Sequence, residues 1–71
     1  MKVVEIFATN VQEISQATHL VTMLHMIFPD YLINFDLDDC DKILRVESDK
    51  VDAKEIIKLL NSKDIHCERL N

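Results

Sequence analysis

The chain has 71 residues, enough for one hydrophobic core, so we expect a single domain spanning residues 1–71. Its formal net charge of −5 disfavours nucleic acid and anionic lipid as partners, because both call for a basic surface. The complete lack of glycine excludes the P-loop and the dinucleotide-binding fingerprint, whose glycines bring the backbone close to phosphate.

The first predicted element is a strand at residues 2–8, KVVEIFA, which is rich in β-branched and aromatic side chains. Glu5 lies inside this apolar run, which makes the run a poor signal peptide. No apolar run in the chain approaches the roughly 20 residues that a membrane span needs. With neither a signal nor a span, we expect a cytoplasmic protein without a membrane partner.

A helix is predicted for residues 11–28, where apolar side chains recur at steps of three and four residues. Pro29 ends this helix, because proline disfavours helical geometry in the residue that precedes it. Five apolar residues fall within a stripe roughly 80° wide and are predicted to face the core. They are Ile14, Ala17, Val21, Leu24 and Phe28.

A β-hairpin is predicted after the first helix. Residues 31–37 alternate as a half-buried strand does, and residues 43–47 form the returning strand. The turn at residues 38–41 contains three aspartates, which tolerate tight or left-handed backbone. One side of the first strand carries Tyr31, Ile33, Phe35 and Leu37, and the core-facing residues of the second are Leu44 and Val46.

The second helix has the clearest start signal in the chain. Asp52 is the predicted N-cap, and Glu55 three residues later completes a capping-box arrangement. Val51 and Ile56 occupy the two positions of a hydrophobic staple. The predicted buried face comprises Ala53, Ile56, Ile57 and Leu60. Residues 65–70 then form a short last strand.

The resulting element order is β-α-β-β-α-β. Its compact arrangement is a four-stranded antiparallel sheet with two helices on one face. The sequence therefore predicts an α+β fold of the ferredoxin-like sandwich type.

Three segments carry a resemblance to a known family. They are FATNV at residues 7–11, DKILRVES at residues 41–48 and VDAKEII at residues 51–57. Together with the element order and lengths, they make the chain resemble the heavy-metal-associated (HMA) domains of copper chaperones and metal-transporting ATPases. That resemblance implies a C-x-x-C pair where the first loop meets the first helix, since two thiolates at this spacing bind Cu(I) or Zn(II).

The thiolate pair is missing from this chain. An alignment anchored on residues 9–11 places the two cysteine positions on Glu13 and Gln16, and a shifted alignment places them on Asn10 and Glu13. Oxygen donors do not hold Cu(I) as thiolates do. We therefore expect a degenerate member of the family with no cofactor and no metal site. The glycine usual before the last strand is replaced by Asp64, which can adopt left-handed geometry.

A replacement metal site would need other ligands. Glu13, Cys40, His66 and Cys67 are expected at one end of the fold. However, Cys40 and Cys67 belong to opposite edges of the sheet, where three strand spacings put roughly 14 Å between them. That separation excludes a shared metal or a disulfide, so both thiols are expected to be reduced. The aspartate-rich hairpin lacks the features of a Ca²⁺ loop and is expected to be a solvated turn.

The first helix carries a candidate interaction face. It has no charged residue between Glu13 and Asp30, although solvated helices normally carry charges. An uncharged, methionine-bearing surface is typical of a contact with another protein. The predicted face comprises His19, Leu20, Met23, Met26 and Ile27.

Catalysis has little support, because no nucleophile has a base and an orienting partner at a recognisable spacing. The sequence therefore predicts a non-catalytic binding module that contacts a protein partner, or a second copy of itself, through its first helix. The alternative is a divergent metal-handling protein that uses ligands other than C-x-x-C.

Overall fold

The computed structural model describes residues 1–70, which form one antiparallel sheet and two helices. The predicted α+β, ferredoxin-like order β-α-β-β-α-β is confirmed. The elements are β1 (Val3–Thr9), α1 (Ile14–Ile27), β2 (Leu32–Asp36), β3 (Ile43–Ser48), α2 (Ala53–Ser62) and β4 (Cys67–Leu70). The order of strands across the sheet is β2-β3-β1-β4. Within residues 1–70, neither helix has the length and apolar content needed to cross a membrane.

The core lies between one face of the sheet and the two helices. β1 is an inner strand, and its Phe7 pairs with Leu44 of β3 on one side and with Arg69 of β4 on the other. Alternate side chains of a strand point to opposite faces, so Phe7, Leu44 and Val46 share the face that the helices cover. All three are fully buried. The predicted inward positions of β3 are therefore confirmed.

The start of α2 follows the sequence prediction in part. The Asp52 carboxylate accepts a hydrogen bond from the Glu55 backbone N–H at 3.1 Å, as an N-cap does. The reciprocal half of the capping box is not formed, because the Asp52 backbone N–H donates instead to the Tyr31 hydroxyl at 2.9 Å. Ile56 and Leu60 are fully buried beneath the helix. Tyr31 thus connects the approach to β2 with the first turn of α2.

The last strand is shorter than predicted, because β4 begins at Cys67 rather than at residue 65. The Ile65 backbone N–H donates to the Leu60 carbonyl at 3.0 Å, so Ile65 still belongs to the C-terminal turn of α2. Asp64 has φ 62°, which confirms that it takes the left-handed geometry usually given to glycine. In the hairpin turn the left-handed residue is Lys42, with φ 48°, rather than one of the aspartates.

The core-facing side of α1 differs from the prediction. Its buried residues are Ala17, Leu20 and Leu24, whereas Ile14 is 78% exposed. The prediction was therefore wrong for Ile14, and wrong in assigning Leu20 to the exposed interaction face. The physical reason is that apolar side chains cover more than half of the circumference of α1, so the helical period alone defines its buried side poorly.

Candidate functional site

The loop between β1 and α1, where the family resemblance implies a metal site, is held by Thr9. The Thr9 hydroxyl donates to the Lys42 carbonyl and accepts a hydrogen bond from the Val11 backbone N–H at 3.3 Å. The Thr9 backbone N–H donates to the Asp41 carbonyl at 3.0 Å. These bonds place the loop beside the β2–β3 hairpin at one end of the sheet, as the topology predicted.

Asn10 connects the same loop to the last strand. Its side-chain Oδ1 accepts a hydrogen bond from the His66 backbone N–H at 3.0 Å. His66 directly precedes β4, so the bond joins parts of the chain that are 56 residues apart in sequence. One of the three positions aligned with the family's cysteines therefore has a structural role.

The other two aligned positions lie at the start of α1. Glu13 is the N-cap residue, with extended backbone at φ −115° and ψ 142°, but its side chain makes no capping hydrogen bond. Its carbonyl accepts the Ala17 backbone N–H at 3.0 Å. Glu13 and Gln16 are both exposed. Together with Asn10 they present carboxylate and amide oxygens, which suit hard cations rather than Cu(I).

The structure does not bring the two cysteines into one site. Cys40 is an exposed free thiol in the β2–β3 connection, and Cys67 is a buried free thiol on β4 at the opposite edge of the sheet. Burial raises the pKa of the Cys67 thiol from 9.0 to about 11. At neutral pH it is therefore protonated, and a protonated thiol is a poor metal ligand. His66, which precedes it, is exposed.

The aspartates of the hairpin are used in closing the turn. The Asp39 carboxylate accepts the Asp41 backbone N–H at 2.8 Å, and the Asp36 carboxylate accepts the Asp38 backbone N–H at 3.2 Å. The ligand atoms of Asp39, Cys40 and Asp41 lie within 4.8 Å of one another, and all three residues are exposed. These contacts agree with the predicted solvated turn and give aspartate its usual role in such turns.

Four of the five residues predicted for the interaction face remain available on α1. Met26 is 81% exposed and Ile27 is 48% exposed. His19 is also exposed, whereas Met23 is half-buried and packs against the core. We call His19, Met23, Met26 and Ile27 the helix contact surface. Leu20 is excluded from it because it is only 2% exposed.

A second feature of α1, which sequence reasoning missed, is a groove of about 500 Å³ between this helix and β2. Its apolar lining includes Ile14, Val21, Phe35 and Leu37, and acidic residues Asp36 and Asp38 also line it. Finding it requires knowing that α1 lies next to the edge strand β2. The sequence carries no signal for it, and Ile14, which was predicted to face the core, is exposed on its wall.

The charges of the chain are distributed unequally. Residues 3–41 contain seven aspartates and glutamates and no lysine or arginine. This segment includes β1, α1, β2 and the hairpin turn, and therefore both the helix contact surface and the groove. The eight basic residues lie at Lys2 and from Lys42 onward. Two of these acidic residues, Asp36 and Asp38, line the groove.

Comparison with known proteins does not assign the chain to a family. No protein-family model matches the chain, and neither does any curated protein or any solved structure. Membership of the heavy-metal-associated family stays a prediction from the sequence. A function for the chain must therefore be argued from its own geometry.

Proposed function

We propose that this chain is a non-catalytic, cytoplasmic protein-interaction module: an HMA-like fold that has lost its thiolate pair and binds a protein through the helix contact surface. The observation that carries the proposal is the exposure of Met26, at 81%, beside the exposed Ile27 on a helix without a charged residue. A helix side that faces only water normally carries charges, as Lys54, Glu55 and Lys58 do on α2.

The loop that would hold a metal in the family supports the same proposal. Asn10 is engaged in a structural hydrogen bond, and Glu13 and Gln16 offer oxygen donors only. Cys67 pairs with Thr9 beside this loop, but its thiol is buried and protonated, and Cys40 is exposed in the hairpin turn. Because the loop of this fold offers no soft ligands for a metal, we assign recognition to the protein surface instead.

Burial of Met26 would contribute a measurable share of the binding free energy. Full burial of a methionine side chain contributes about 1.5–3 kcal/mol. Met26 is exposed almost completely, so a partner that covers it gains most of that amount. Since about 1.4 kcal/mol corresponds to a tenfold change in affinity, removing this contact should weaken binding by about tenfold or more.

The test compares three forms of the chain as bait in lysate of its source cells. They are the wild type, Met26→Glu and the matched control Asn61→Glu, which adds the same charge at an exposed position of α2. We expect the wild type and Asn61→Glu to capture the same protein, and Met26→Glu to capture at least tenfold less of it. Sedimentation of the purified forms tests self-association. If the partner is a second copy, we expect the wild type and Asn61→Glu to self-associate equally and Met26→Glu to self-associate less. Equal behaviour of all three forms in both assays would refute the proposal.

A further inference from the structure

One edge of the sheet is open towards the groove beside α1. Among the described residues, β2 pairs with β3 only, so one row of its backbone N–H and C=O groups has no partner strand. This row borders the groove of about 500 Å³ between β2 and α1. Unpaired edge groups next to an apolar groove are the arrangement in which proteins bind an extended peptide by adding it to a sheet.

β2 also lacks the features that normally protect an edge strand from pairing. Such strands are shielded by lysine, proline, bulges or short length. The sequence of β2 is LINFD, which has no lysine or proline and a single charge, Asp36, at its end. The other edge strand, β4, is shorter and carries Glu68 and Arg69. Of the two edges, β2 is therefore the one suited to accept a further strand.

We propose that an extended segment of a partner protein, in which apolar and basic residues alternate, adds to the sheet beside β2 and fills the groove. The inference rests on the proposed function, since both assign a protein partner to α1, but it concerns a different side of the helix. The added segment would be the fifth strand of the sheet.

The alternation follows from the geometry of β2. The side chains of Ile33 and Phe35 are on the core side of the sheet, where α1 forms the wall of the groove, whereas those of Leu32 and Asp36 are on the opposite face, and Asp36 borders the groove at the open edge of the strand. Side chains of an added strand alternate in the same way. Those on the groove side would meet Ile14, Val21 and Phe35 and must be apolar, and those on the other side would pass Asp36.

Charge identifies a basic partner segment rather than a second copy of this chain. Two acidic residues, Asp36 and Asp38, lie along the groove, and the cation at its end, the Lys42 ammonium, donates to the Leu37 carbonyl at 3.0 Å. Two copies that paired through β2 would bring Asp36 and Asp38 of both to one edge, and β2 itself supplies no lysine or arginine to offset them. Like charges on facing strands are destabilising, whereas lysine or arginine opposite Asp36 is favourable.

The first test uses a fluorescent seven-residue peptide in which valine and lysine alternate, titrated against the full chain by fluorescence anisotropy. A peptide of the same composition with the valines and lysines in separate blocks is the control. Two further peptides carry N-methyl groups on the valine nitrogens or on the lysine nitrogens. An added strand bonds to its neighbour through alternate residues only, so we expect one methylated peptide to bind like the parent and the other at least tenfold more weakly.

Protein variants locate the binding on the molecule. Ile14→Ala removes an exposed groove contact, and Asp36→Asn removes a charge but keeps the side-chain oxygen that accepts the Asp38 N–H. We expect each variant to bind the alternating peptide three- to tenfold more weakly. The matched control is Val4→Ala, which truncates another exposed β-branched side chain outside both the groove and the helix contact surface and should bind like the wild type.

Three results would overturn the inference: equal binding of the alternating and block peptides, equal weakening by both sets of N-methyl groups, or sedimentation of the wild type as a dimer that Ile14→Ala dissociates. The helix contact surface is tested separately by Met26→Glu. Loss of partner capture in Met26→Glu without binding of the alternating peptide would refute only the groove. Binding of the peptide with unchanged capture and self-association in Met26→Glu would refute only the helix contact surface.

Discussion

The side-chain oxygen of Asn10 accepts a hydrogen bond from the backbone N–H of His66 at 3.0 Å. The bond fixes the loop before α1 to the start of β4, two regions that meet only through the tertiary fold. In the family that the chain resembles, this loop carries the metal ligands. Here it joins two elements of the structure instead.

Substituting Asn10 should therefore affect stability. We expect Asn10→Ala to lower the free energy of unfolding by about 0.5–1.5 kcal/mol, the usual net contribution of one hydrogen bond. Asn10→Asp keeps an acceptor oxygen and should lose less than half as much. Urea unfolding followed by circular dichroism measures both values, and an Asn10→Ala variant as stable as the wild type would show that the bond is unimportant.

Thr9 should be more sensitive than Asn10, because it is only 7% exposed and its hydroxyl serves two backbone groups. Thr9→Val keeps the shape of the side chain but removes the bonds to the Lys42 carbonyl and the Val11 N–H. We expect a loss of about 1–3 kcal/mol, the penalty for leaving buried polar groups unsatisfied. Thr9→Ser retains the hydroxyl and should remain within about 1 kcal/mol of the wild type. Equal losses in the two variants would contradict this explanation.

Glu5 and Arg69 form a bidentate ion pair, with Nε–Oε1 at 2.7 Å and Nη2–Oε2 at 3.0 Å. The Glu5 side chain is 11% exposed and that of Arg69 is 46% exposed. Arg69→Met leaves the carboxylate with little solvent and no partner, so we expect a loss of about 1–3 kcal/mol. The double variant Glu5→Met/Arg69→Met should recover most of it. Chemical denaturation of the wild type, Glu5→Met, Arg69→Met and the double variant tests this, and additive losses would rule out the coupling.

The buried Cys67 thiol should make the stability of the protein depend on pH in the alkaline range. As the pH rises from 9.0, the thiol ionises first in the unfolded chain, because burial raises its pKa to about 11 in the folded protein. The buried neutral thiol therefore makes its full contribution to the free energy of unfolding below pH 9. That contribution is lost as the pH rises through 11, and the total loss is about 2–3 kcal/mol.

The measurement is the difference in unfolding free energy between the wild type and Cys67→Ala, from pH 8 to 11.5 under reducing conditions. Taking the difference cancels the contributions that the two proteins share. We expect the advantage of the wild type to shrink as the pH rises. A difference that stays constant over this range would refute the assignment.

The fold could be predicted from the sequence because several local signals agree. The alternation at Ile33 and Phe35, the cap at Asp52 and the left-handed Asp64 each define one element or one boundary, and all are present in the structure. Their agreement leaves few ways to connect six short elements.

The candidate sites were harder to predict, because α1 is apolar on most sides. The choice between Ile14 and Leu20 as the core residue depends on how the helix rotates against the sheet, which the helical period does not determine here. The groove is a product of tertiary structure, since it needs both the position of β2 at the sheet edge and the side of α1 that faces it. The hydrogen bond between Asn10 and His66 likewise joins positions with no local relationship in sequence.

We propose that the loop between β1 and α1 has a structural role and that recognition takes place on the surface formed by α1. The most direct measurement is a titration of the ¹⁵N-labelled protein with Zn²⁺ and with Cu(I), following the backbone amide signals of Asn10, Glu13 and Gln16. We predict no saturable shift of these signals at micromolar metal. Saturable shifts at these three residues would contradict the claim and would favour a divergent metal-handling protein instead.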